Sequence, residues 1–150
     1  MGSYAEPPLT VTVLDAAPPD GNRYELIKGK LYVSAAPSYF HQAVILNLAI
    51  AIREYLRLHP IGDVAAGIGI VFDPFNAVVP DLIFITKARK ARLLAGGRLV
   101  GAPELVVEVL SPGTANEGRD RHLKRELYSE YGVEEYWVFD LEYRCVERFE

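Results

Sequence analysis

The chain reads as an α/β domain of the α+β kind, a mixed β-sheet flanked by helices, and three observations predict this. Three runs, "VAAGIGIVF", "VVPDLIFIT" and "ELVVEVLS", are short, apolar and rich in β-branched residues, as strands are. Two longer segments, "HQAVILNLAIAIREYLRLH" before them and "TANEGRDRHLKRELYSEYG" after them, carry apolar residues at helical spacing. The order of helix, three strands, helix and closing strands suits a mixed sheet with helices on its faces.

Each element follows from local chemistry. "YELIKGKLYVS" is a short segment that turns at Gly29 into a strand, and the first helix, residues 41 to 59, is ended by Pro60. Pro and Gly mark the joints, at "APPDGN", "HPIGD", "LAGGR" and "SPG". The second helix opens with a Thr114 to Glu117 capping box and closes at Gly132. "EEYWVFD" and "YRCVERFE" are two further strands around a tight turn near Leu141 and Glu142. "GIGIVF" lies within a strand rather than opening a helix, so it is no phosphate cradle, and no Ser/His/Asp order is evident.

A length of 150 residues, half of them apolar, fits one domain over residues 1–150 with a single core. No apolar run approaches the roughly eighteen residues of a membrane span, and "MGSYAEPPLT" lacks a charged and apolar signal region, so a cytoplasmic protein is expected. The single cysteine, Cys145, reads as a structural thiol, and metal binding by a thiolate cluster is excluded. A net charge of −4 argues against a protein that coats nucleic acid. Local basic clusters remain, Lys87, Arg89, Lys90, Arg92 and Arg98 in "KARKARLLAGGR" and a second in "RDRHLKR"; on charge alone each reads as a solvated face.

Two acids break the apolar pattern. Asp81 follows Pro80 among Val78, Val79, Leu82, Ile83 and Phe84, and Glu108 stands inside "PELVVEVLSPGT". A buried lone carboxylate costs several kcal/mol unless it is paired, hydrogen-bonded or bound to a cation, so two in successive strands suggest a common partner. Strand alternation puts Glu108 on one face with Val106 and Leu110, and Asp81 with Ile83 and Ile85, and neighbouring strands would bring both acids to one end of the sheet. Mg²⁺ takes oxygen ligands and commonly uses one or two protein carboxylates, with water and substrate phosphate completing the shell, which makes Asp81 and Glu108 the metal pair. At about 100° per residue, Leu123, Leu127 and Tyr131 define the apolar face of the second helix, and Lys124 falls between Tyr131 and Tyr128. Arg119, Arg121 and Arg125 fall toward the polar side, so Lys124 is the cation aimed at the sheet; the alternatives are an i,i+4 pair with Asp120 or a stem that snorkels to water.

With these residues in place the sequence resembles the Uma-type endonucleases, a bacterial family once filed as a domain of unknown function, within the PD-(D/E)XK nuclease superfamily. The resemblance rests on "YELIKGKLYVSAAPSYFHQ", "VVPDLIFI", "PELVVEVLSP", "RDRHLKRELYSEYGV" and "EEYWVFD" in this order, and covers most of the chain. It implies a restriction-endonuclease-like fold, with catalytic acids at Asp81 and Glu108. The superfamily's lysine stands two residues after the second acid, where this chain has Leu110; Uma-type members look as if they supply it from the following helix, at Lys124. The resemblance also implies roles for Glu25 and His41. By angle His41 faces inward with Val44, Leu48 and Ile52, as a functional group or as a satisfied core histidine, and Glu25 is either a third acid near the metal or an exposed strand residue.

The expected function is a Mg²⁺ (or Mn²⁺) dependent endonuclease acting on nucleic acid, with DNA as the substrate. The alternatives are a catalytically inactive nuclease-fold binding or assembly module, whose acids and lysine form a buried salt-bridge network, and a phosphodiesterase acting on RNA or a small nucleotide. A homodimer is expected, because Leu46 and Ile50 lie with Arg53 and Arg57, off the main apolar stripe of the first helix. "YRCVERFE" stops in mid-strand, so the chain looks truncated at its C-terminus, with a bare sheet edge open to pairing.

Overall fold

The computed structural model describes residues 5–111 and 119–150, at 119 and 120 by backbone alone. The α+β class with mixed sheets holds, and the strands divide between two sheets rather than forming one. A short 3₁₀ helix, Val11–Ala16, precedes β1 (Arg23–Ile27) and β2 (Lys30–Ser34), a hairpin whose turn at Lys28 and Gly29 takes positive φ at both residues. Helix α1 (Tyr39–Leu58) follows, then β3 (Gly62–Ala66), β4 (Ile70–Asp73), β5 (Asn76–Val78) and β6 (Leu82–Thr86). Next come α2 (Lys87–Leu93), β7 (Leu94–Ala95), β8 (Arg98–Val100) and β9 (Leu105–Leu110). A π-helical turn, Arg119–Leu123, leads into α3 (Lys124–Glu130), and β10 (Glu135–Asp140) and β11 (Cys145–Phe149) close the chain. The first sheet has the order β2-β1-β5-β4-β8-β7 and the second β11-β10-β9-β6-β3, in which only β9 and β10 run parallel.

The division has local causes. "VAAGIGIVF" is two strands in different sheets, because Gly67 takes φ +62° and turns the chain between them. "VVPDLIFIT" also splits: Pro80 has no N–H for a ladder, so β5 ends at Val78 and β6 starts at Leu82. Asp81 is left one residue ahead of β6. The basic stretch read as a solvated face is α2 and a small hairpin. Thr86 caps α2, accepting from the Arg89 N–H at 3.3 Å, while its own hydroxyl donates to Glu104 at 2.6 Å. The capping box at Thr114 and Glu117 lies outside the described residues. Cys145 opens β11 and is exposed.

Two apolar clusters sit on the two faces of the second sheet. Val106 and Leu110 of β9, Ile83 and Ile85 of β6, and Tyr136 and Val138 of β10 pack with Leu127 and Tyr128 of α3 and with Ile27, Ile70, Val78 and Leu99 of the first sheet. Leu82, Val107 and Val109 pack on the opposite side with Ile45 of α1, joined by Val44, Leu48 and Ile52. β9 therefore sends Glu108 toward α3 and its odd-numbered valines toward α1. Among the described residues no helix is long and apolar enough to cross a membrane.

Candidate active site

Register brings the two acids together. β6 pairs antiparallel with β9 through Leu82 and Val107, so one step back Asp81 stands beside Glu108. The backbone N–H of Val109 donates to Asp81 Oδ2 at 2.7 Å. Because Asp81 precedes the regular strand, it also takes partners from two other elements. Arg23 Nη1 of β1 lies 2.8 Å from Oδ1, and His41 Nε2 of α1 lies 3.2 Å from Oδ2. Burial alone would raise the Asp81 pKa; the hydrogen bond from His41, the charges of Arg23 and His41, and the Val109 N–H outweigh it and hold the carboxyl well below its ordinary range. The same contact acts on His41, where burial disfavours the charged ring but Asp81 prevails and raises the pKa.

Glu108 faces the helix. Lys124 Nζ lies 2.6 Å from Oε1, and the Tyr128 hydroxyl donates to the same oxygen at 3.0 Å. Burial first, and then the Glu108 charge, push the Tyr128 pKa well above its ordinary value, so the phenol stays a donor. The ammonium also touches Glu25 Oε1 at 3.0 Å, and that oxygen accepts the Val79 N–H at 2.8 Å. Of the two readings left open for Glu25, the exposed one is excluded: the side chain is buried and anchors the lysine. Lys124 is 1 % exposed, so its stem does not snorkel to water; the Asp120 side chain lies outside the described residues. His41 faces inward, as its helical angle requires, its N–H accepted by the Ser38 N-cap at 3.2 Å and its Nδ1 3.2 Å from Gln42 Oε1.

Both ends of α3 are tied down. Arg121, one turn before Lys124, bonds Asp140 of β10 and reaches Glu147 of β11 at 2.6 Å. After the helix, the Tyr131 hydroxyl bonds Asp73 of β4. Leu110, where the superfamily pattern has lysine, is buried in the core with Leu127 and Tyr128, so α3 packs over that position and sends Lys124 to Glu108 instead.

Arg23, His41, Asp81, Glu108 and Lys124 line a single cavity of about 690 Å³ that also takes in Ser111 at the end of β9. Glu25 is not on its wall and reaches it only through its contact with Lys124. Sequence reasoning missed Arg23, although it stands two residues before Glu25 on β1 and so shares that strand's face. The cavity holds Asp81 and Glu108 as hard oxygen donors, and among the described residues no group of three or more His, Cys, Asp or Glu is placed to cage an ion. Two adjacent carboxylates lining one cavity match in number the ligands that Mg²⁺ or Mn²⁺ takes from a protein, since these ions use one or two carboxylates and keep several waters.

The family model described as "Putative restriction endonuclease" (Uma2) matches residues 12–150. The crystal structure of "a putative nuclease belonging to DUF820" from Anabaena variabilis superposes with a TM-score of 0.77 at 20% sequence identity, covering 95% of this chain and 80% of that one. At that identity the likeness shows a shared fold. No curated protein matches the chain significantly. The family model spans the β1–β2 hairpin, both acid-bearing strands and the lysine-bearing helix, so the chain belongs to the Uma2 family.

Proposed function

We propose that this protein is a divalent-cation-dependent endonuclease that hydrolyses phosphodiester bonds in DNA in the cytoplasm, with Asp81 and Glu108 as ligands of Mg²⁺ or Mn²⁺ and Lys124 as the catalytic cation. The observation that carries the reading is the convergence of β6, β9 and α3, which puts an aspartate, a glutamate and a lysine around one cavity with Lys124 Nζ 2.6 Å from Glu108. When bound, the cation lowers the pKa of water and offsets charge developing on phosphorus. The protein's own groups supply the rest. Lys124, held between Glu108 and Glu25, is a preorganised donor that orients the attacking water and meets negative charge without first having to shed solvent. Tyr128 fixes the Glu108 carboxylate, while His41 and the Val109 N–H fix that of Asp81. His41 and Glu25 are positioning residues in this scheme.

One observation favours a second reading. Each acid already has a basic partner, Arg23 and His41 for Asp81 and Lys124 for Glu108, as a nuclease-fold binding module with a salt-bridge network in place of a metal would have. Calorimetric titration with Mn²⁺, alongside cleavage of duplex DNA, single-stranded DNA, RNA and cyclic dinucleotides, separates the two. The endonuclease reading expects metal binding and DNA cleavage, both lost in Asp81→Asn and Glu108→Gln. Absence of metal binding supports the binding module, and cleavage confined to RNA or cyclic dinucleotides replaces the substrate. We also propose a homodimer through the exposed side of α1, where Leu46 and Ile50 are 61% and 49% exposed.

A further inference from the structure

We propose that Arg23 is the residue that binds the substrate phosphate: the guanidinium that neutralises Asp81 in the metal-free cavity passes to a phosphodiester oxygen when a divalent cation takes the Asp81 carboxylate. This rests on the endonuclease reading above and adds a residue to it. Three basic side chains stand on the cavity wall, and their exposure decides which of them an incoming phosphodiester meets first. The Lys124 side chain is 1% exposed and His41 6%, while that of Arg23 is 26% exposed, with Asp81 behind it at 1%. Lys124 is also held by two carboxylates, whereas the hydrogen bond of Arg23 among the described residues runs through Nη1 to Asp81. Nε and Nη2 of the planar fork are thus left for a second acceptor.

Charge then drives the transfer. A guanidinium does not deprotonate in a protein, so a divalent cation on Asp81 would place like charges around one carboxylate. A phosphodiester offers the displaced guanidinium a new counter-charge with matching bidentate geometry. The cavity that Arg23 lines has room for it, since Gly21, Ser34, Ala35, Ala36 and Gly67 share its wall with the larger Asn22, Tyr24 and Gln42.

The test is equilibrium binding of a fluorescent DNA duplex in Ca²⁺, followed by anisotropy across a salt series, with the wild type, Arg23→Gln and Arg23→Lys. Arg23→Gln is expected to weaken binding about tenfold, the loss typical of a hydrogen bond to a charged group, and to make the slope of log K against log salt shallower by about 0.9, one phosphate contact. Arg23→Lys keeps the charge, so it should retain the wild-type slope while recovering only part of the affinity. Without DNA, Mn²⁺ should bind Arg23→Gln more tightly than the wild type, because the competing guanidinium is gone. A counter-ion with no role toward substrate predicts lower melting temperatures in both variants with Kd and slope unchanged, and that result overturns the assignment while leaving the endonuclease reading intact. A wild-type protein that binds neither Mn²⁺ nor DNA overturns both. If Arg23→Gln does not fold, Arg23→Lys decides: undiminished affinity refutes the role, and weaker binding at an unchanged slope supports it.

Discussion

A lysine buried between two carboxylates holds the fold and, in the proposed mechanism, serves the chemistry, and Lys124→Met separates these uses because it keeps the stem and removes the charge. Cleavage should fall by at least about 10²-fold, the scale of losing one preorganised donor. An exposed pair with Asp120 would cost no more than about 1 kcal/mol on mutation, but the observed partners, Glu108 and Glu25, are buried. Urea denaturation should therefore show a loss of about 3–5 kcal/mol for Lys124→Met, the cost of leaving buried charge uncompensated. Full cleavage activity in folded Lys124→Met would remove the lysine from the mechanism. The His41–Asp81 pair makes stability depend on pH in the metal-free protein. Asp81 is held below its ordinary 3.8, so its contribution is complete above that value and is lost as pH falls through the folded pKa. His41 is raised above 6.5, so its contribution is complete below that value and is lost as pH rises through its folded pKa. Both shifts describe one interaction. In EDTA the urea midpoint should fall on both sides, and His41→Gln should abolish the decline on the alkaline side.

At the level of elements, the cap of α1 links helix stability to the site. The Ser38 hydroxyl accepts the backbone N–H of His41, the residue whose ring meets Asp81. Ser38→Ala should cost about 1 kcal/mol in denaturant titrations. On the solvent side of the same helix Leu46 and Ile50 stay exposed while Val44, Ile45, Leu48 and Ile52 pack inward. Light scattering at micromolar concentration should give the mass of a dimer, and Leu46→Glu with Ile50→Glu should give a monomer with its circular dichroism unchanged. A monomeric wild type would dismiss the dimer. At the far edge of the second sheet, β11 pairs with β10 alone among the described residues, an edge of the kind available to another chain.

On the scale of the whole molecule, the site joins the two sheets: Arg23 and Glu25 come from the first, Glu108 from the second and Asp81 from the lead-in to β6, with His41 and Lys124 added by helices. A ligand gripping Asp81 and Glu108 therefore stabilises the assembled fold and not one element. At a hundred times its Kd, Mg²⁺ or Mn²⁺ should add about 2.7 kcal/mol to the unfolding free energy, read as a higher urea midpoint that EDTA reverses. Asp81→Asn should lose that increment. An equal increment in the variant would place the cation elsewhere.

Much of this was legible in the sequence because it is local. The periods of α1 and β9, the stop at Pro60 and the turn at Gly29 depend on neighbours a few residues away, and the apolar settings of Asp81 and Glu108 marked those acids as needing partners. The angular position of Lys124 pointed it inward for the same reason. What the sequence by itself determined was thus a set of elements and three charges that could not remain alone. Their pairing was decided by contacts distant along the chain. Arg23 meets Asp81 across 58 positions, and a lone arginine at the head of a strand carries no mark of that. Gly67 and Pro80 each lie inside an apolar run that reads as one strand; each residue permits a break locally, and the pairing of the flanking segments in different sheets makes it one. Glu25 could have been exposed on a hairpin, and became the lysine's second anchor because β5 and α3 close over it. Tertiary packing settled these cases because burial, and the cost of a buried charge without a partner, belong to the assembled sheets rather than to any segment.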